Sequence, residues 1–216
     1  MKTDSRHYLR FKLMNMFLKT VTAATIALLS FSASAEFKLA SPLFEDGDIL
    51  PADLACTRDG GDGLSPPLTW VDVPAGTKSF ALIEHHYPRD TVEGIDDPSY
   101  YWLIWNIPIE TTSLSRGNIE SIGNVGGGTK LGGSAPYTPP CSPPVSGMHT
   151  YVITLYALDS ETIGLADQDD RDVDWATLTA AIEGKVIASS SLAFRSGTQR
   201  SDTERNGAER NGAERR

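Results

Sequence analysis

The chain's 216 residues carry 28 acidic against 19 basic side chains, a net charge of −9, and 40% of them are hydrophobic. That length and apolar share support one well-filled core rather than two domains. The charge sets aside nucleic acid and anionic lipid surfaces as partners, because both repel an acidic protein.

At the N-terminus, Lys19 precedes an apolar run from Val21 to Phe31 that is too short to span a bilayer. Ala33-Ser34-Ala35 then supplies the small-x-small pattern that a signal peptidase cuts. Residues 1–35 therefore read as a secretory signal with an N-terminal extension, and the mature chain starts at Glu36. Initiation at Met14 or Met16 would bring Lys19 close to the new N-terminus. The rival reading of this stretch is an amphipathic or buried first helix. Export makes the protein periplasmic or secreted, without stable membrane insertion. In that oxidising setting the only two cysteines, Cys56 and Cys141, pair as a disulfide.

Residues 36–195 read as the folded domain, in which 9 basic side chains face 23 acidic ones, a net −14. Glycine and proline punctuate it throughout, and short β-branched or aromatic runs lie between them, which predicts a mostly β (α+β) fold. Candidate strands are Phe37 to Ser41, Thr69 to Val71, Ser79 to His86, Tyr100 to Ile107 and His149 to Ala157. Pro74-Ala75-Gly76-Thr77 marks the turn before the third. One helix is predicted from Asp174 to Ile187, capped by Asp172 or Asp174, with Trp175, Leu178, Ile182 and Lys185 at helical spacing. "ASSSLAFR" follows as a last strand. The segments Asp59 to Pro67, Arg116 to Pro136 and Pro139 to Gly147 read as loops, where a rigid β scaffold usually carries its binding residues. Residues 196–216, which repeat Asn-Gly-Ala-Glu-Arg, have no apolar periodicity and read as a disordered tail.

The third strand, "FALIEHHYPRD", ends on three side chains that are costly to bury without partners. Alternation puts Glu84 and His86 on the face of Phe80 and Leu82, and His85 with Ala81 and Ile83, so one histidine of the pair faces a given pocket. His149 opens the strongest strand, directly after the proline-rich loop.

The order of motifs "SPLFEDGDILPADLACTRDGGDGLSPPLTWVDVPAGTKSFALI", "YYWLIWNIP", "YTPPCSPPVSGMHTYVITLYALD" and "GKVIASSSLAFR" resembles the phosphatidylethanolamine-binding protein family, in its bacterial Raf-kinase-inhibitor-like branch. The resemblance covers about residues 37–195. It implies a sandwich of two antiparallel sheets with a C-terminal helix, and a small pocket for phosphate-like groups. Pro139, Pro140, Pro143, Pro144, Gly147, His149 and Tyr151 keep the family's second motif, Gly-x-Pro-Pro-x-Gly-x-His-x-Tyr. The first motif, Asp-Pro-Asp-Ala-Pro, is lost: His86 stands at or next to its first Asp, followed by Tyr87-Pro88-Arg89-Asp90. Tyr101 stands where the family has a pocket histidine, and Cys56 and Cys141 fall in loops that the family places at the pocket mouth.

The expected site is therefore a ligand pocket of His86, Tyr101, Pro140, His149 and Tyr151 that holds a small anionic or phosphorylated ligand, with a partner protein engaged through the same mouth. An imidazole in place of an Asp donates directly to an anion, and more strongly once protonated near its ordinary pKa of ~6.5. No cofactor, metal or catalytic role is expected. Two alternatives use the same residues. A metal-binding variant would take His86, His149 and Glu84, though their spacing matches no local metal motif. A secreted hydrolase would take Ser142 or Ser146 beside His149, without a Gly-x-Ser-x-Gly elbow. "NVGGGTKLGG" lacks the Gly-Lys-[Ser/Thr] ending of a phosphate loop.

Overall fold

The structure, a computed structural model, describes residues 35–117, 122–126, 137–143 and 146–197. The leader up to Ser34, the repeats after Asn206, Pro144 and most of the glycine-rich stretch lie outside the described residues.

Among the described residues, nine strands and one α-helix follow in order: β1 (Lys38–Ala40), β2 (Asp48–Ile49), β3 (Leu68–Val71), β4 (Ser79–His86), β5 (Ser99–Pro108), β6 (Ser113–Leu114), β7 (Asn124–Val125), β8 (Met148–Leu158), α1 (Trp175–Ile182) and β9 (Val186–Gly197). Short 3₁₀ turns at Ala52–Leu54 and Thr57–Asp59 fill the gap between β2 and β3. One sheet has the order β1-β3-β6 and the other β2-β9-β8-β4-β5-β7. Every ladder is antiparallel except the edge pair β2 and β9, which run parallel through Asp48↔Phe194 and Ile49↔Arg195.

The central strand β4 lies between β5 and β8 and is covered on both faces, which is why its sequence reads as an unbroken apolar run. Phe80 and Leu82 join Trp70, Ile104, Leu155 and Phe194 in the core between the sheets. Ala81 and Ile83 join Leu178 and Ile182 in a second core beneath α1. Burying one such large side chain contributes ~1.5–3 kcal/mol. Leu39 N donates to Ser190 Oγ at 2.8 Å and ties the small sheet to β9. The predicted turn forms: Thr77 N and Oγ1 both donate to Pro74 O, and Gly76 takes a φ of 89° that side chains resist.

The helix is capped by Asp174, whose carboxylate accepts from Thr177 N at 2.8 Å. It stops at Ile182, well short of the expected Ile187. Gly184, at φ 73°, reverses the chain, and Val186 already pairs with Leu158. The residues from Val186 onward alternate as a strand and gain a full ladder against β8, which outweighs continued helix. The two-residue strands β2, β6 and β7 carried no periodicity to read.

Candidate functional site

Both long strands of the site end at the same rim. β4 closes on His86, and β8 begins at Met148 just after the proline loop. His85 is the last β4 residue to pair with β8, opposite Val152, so Met148 to Tyr151 run past the end of β4 and pair only with β9. Parity then places His149 and Tyr151 on the same side as His86.

Four of the five expected ligand residues converge. The His86 ring centroid lies 5.5 Å from Tyr101, 5.4 Å from His149 and 4.8 Å from Tyr151. Tyr101 and Tyr151 meet edge to face at 5.1 Å. Tyr101 Oη and His86 Nδ1 share a hydrogen bond of 2.9 Å. We assign the phenol as donor, because burial holds it protonated; this puts the imidazole proton on Nε2. His149 Nε2 is buried with no hydrogen-bond partner. These groups line a cavity of about 430 Å³, together with Ser99, Thr138, Pro139, Ser142 and Pro143.

The fifth expected residue, Pro140, does not line this cavity. It is buried behind the wall, and its carbonyl accepts from Cys56 N at 3.4 Å. Pro139 and Pro143 line the cavity instead. Cys56 and Cys141 form a disulfide with a Cα separation of 5.4 Å, and Cys141 belongs to the cavity wall. Sequence reasoning missed Ser142 as a wall residue. Its hydroxyl meets Tyr151 Oη at 3.1 Å, and the proline spacing of its loop was the available signal.

Burial sets the electrostatics. It pushes His86 down to about 4, aided by the neighbouring charges of His149 and His85. It raises Tyr151 and carries Tyr101 well above the phenol range. Glu84, fully buried on the same face one step deeper, is pushed up to about 8. At neutral pH these side chains therefore offer hydrogen bonds without formal charge. His86 does not gain its proton at the expected ~6.5, because the wall that positions it also removes the water that would solvate the imidazolium.

Among the described residues, the only cluster of three metal-ligating side chains is Cys56, Asp59 and Cys141, and its thiols are already joined. His86, His149 and Glu84 do not gather around one point. Ser142 Oγ meets the Tyr151 phenol at 3.1 Å, whereas an activated serine nucleophile is paired with a base such as an imidazole.

The sequence profile described as phosphatidylethanolamine-binding protein matches residues 40–196. The UPF0098 protein YbhB of Escherichia coli is 34% identical over 160 residues, which is 72% of this chain and 96% of YbhB. LppC of Mycobacterium tuberculosis, which carries a lipoprotein designation, is 32% identical over 145 residues, 64% of this chain and 62% of LppC. The crystal structure of Escherichia coli YbcL, described as a new member of the mammalian PEBP family, superposes with a TM-score of 0.63 at 24% identity, covering 76% of this chain and all of YbcL.

Proposed function

Because this chain belongs to the phosphatidylethanolamine-binding protein family, we propose that it is an exported, non-catalytic binding protein that holds a small anionic or phosphorylated ligand between His86, Tyr101, His149 and Tyr151. The observation that carries this reading is the buried His149 Nε2, which has no partner and borders a cavity shared with the His86 imidazole. A buried polar nitrogen left unpaired costs ~1–3 kcal/mol, and an anion that accepts from it recovers that cost. Export is supported by the lipoprotein designation of LppC; among the described residues no helix is long and apolar enough to cross a membrane. A partner protein would be engaged at the mouth of the same cavity.

Calorimetry with sulfate, which keeps its charge across the useful pH range, tests the site. Affinity is expected to rise as pH falls from 7 toward about 4, because an anion stabilises the protonated His86 that burial otherwise disfavours. His86→Ala should flatten that profile and His149→Ala should weaken binding by ~10-fold or more. Binding that ignores pH and both substitutions would sink the reading. Turnover of a generic ester at the same cavity would favour the hydrolase.

A further inference from the structure

The His86 and His149 rings border a second cavity, also of about 430 Å³, on the side of the rim that faces away from Tyr101 and Tyr151. It arises where Met148 to Tyr151 overrun the end of β4. Two walls decide its chemistry. On β4, His85 presents a buried Nδ1 with no partner. After β4, a turn closed by Thr91 N and Oγ1 donating to Pro88 O, with Asp90 at φ 68°, holds Arg89 against the rim. There Arg89 Nη2 donates to Ser146 O at 3.1 Å. Among the described residues no carboxylate forms an ion pair with Arg89, although Glu93 lines the same cavity.

We propose that one ligand occupies both cavities: its anionic head lies at the His86–His149 boundary and is met from the outer side by Arg89, while an aromatic or apolar body fills the inner cavity of tyrosines and prolines. The ligand class is an amphipathic organic anion, such as an aryl phosphomonoester, rather than a free inorganic ion. This rests on the anion-binding reading of the histidine pair and extends it in two respects, a further binding residue and a preferred ligand shape. Guanidinium is the side chain suited to this place, since it forks onto a phosphate while keeping its bond to Ser146. Glu93, which lines the same cavity, restricts the head to one phosphate-sized group, because a second anionic group beside it would face a carboxylate. The inner walls, by contrast, offer ring faces and proline edges that a bare anion leaves unused.

The test compares inorganic phosphate with phenyl phosphate by calorimetry on the full mature chain, for the wild type and for Arg89→Gln, Arg89→Lys and His149→Ala. Phenyl phosphate should bind wild type about 10-fold or more tighter than phosphate, the contribution of an enclosed apolar body. Arg89→Gln should weaken phenyl phosphate about 10-fold or more, and Arg89→Lys should restore part of the loss by retaining the charge without the fork. Arg89 is exposed, and unchanged thermal unfolding of its variants will certify their fold. If His149→Ala weakens binding while Arg89→Gln has no effect, the histidine site stands and the outer cavity is idle. Equal affinity for the two ligands overturns the amphipathic assignment. Indifference to all three substitutions removes the histidine site itself.

Discussion

Glu84 is the residue least at ease in this fold. It has no exposed surface, neither carboxyl oxygen has a partner, and its cross-strand neighbour Trp102 also buries an unpaired Nε1. Its folded pKa of about 8 lies above the unfolded value near 4.5, so the folded state holds a proton that the unfolded chain releases. Its contribution is therefore fully present below the unfolded value and is lost as pH rises to about 8. His85 and His86 act in the opposite sense. Both are pushed down to about 4 by burial, so the unfolded chain takes up protons first as pH falls below ~6.5 and stability drops toward pH 4. Two histidines outweigh one carboxyl on the acid side. Their sum places a stability maximum near pH ~6.5, measurable as Tm against pH. Glu84→Gln should remove the alkaline decline and leave the acid limb. An alkaline limb unchanged in that variant would show that another group drives it.

At the scale of elements, α1 depends on the residue that precedes it. Asp174 satisfies one of the backbone donors that every helix start leaves open, and the Thr177 hydroxyl, with the Thr177 amide beside it, holds its carboxyl below the usual range. Asp174→Ala should cost ~1 kcal/mol and lower Tm by ~2–4 °C. The effect should reach the site only weakly, although the rings of His85 and Trp175 meet, tilted by 55°, at a centroid distance of 4.9 Å. A large loss of ligand affinity in Asp174→Ala, at a temperature where the variant is folded, would mean that α1 positions the rim.

The whole molecule is held at the pocket by its disulfide. Cys56 and Cys141 are 85 residues apart in sequence and join the 3₁₀ segment after β2 to the proline loop before β8. Removing a bridge across a loop of this length should cost ~2–5 kcal/mol. Thiol titration without reductant should find no free thiol, and Cys56→Ser/Cys141→Ser should lose both stability and affinity, because Cys141 is part of the cavity wall. For the leader, N-terminal sequencing of exported protein should begin at Glu36; a retained leader would refute the processing site.

The sequence alone determined the strands that are long and alternating, because side-chain period and burial are the same fact in an amphipathic strand. Ser79 to His86 was legible to the residue, as was the cysteine pair, whereas the cap was narrowed only to Asp172 or Asp174 and the fold selected Asp174. The sequence also determined which side chains of one strand share a face, His149 with Tyr151 and His86 with Glu84, while the register of β4 against β8 set the two groups side by side. Three things were decided only in the tertiary structure. The helix ended early because a ladder partner was available to Val186, which no local pattern records. Pro140 turned inward while Pro139 and Pro143 turned outward, because a loop has no fixed period. The charge state of the rim followed from burial: identical imidazoles titrate near ~6.5 in water and about 4 in this wall, and desolvation exists only once distant strands have closed around them.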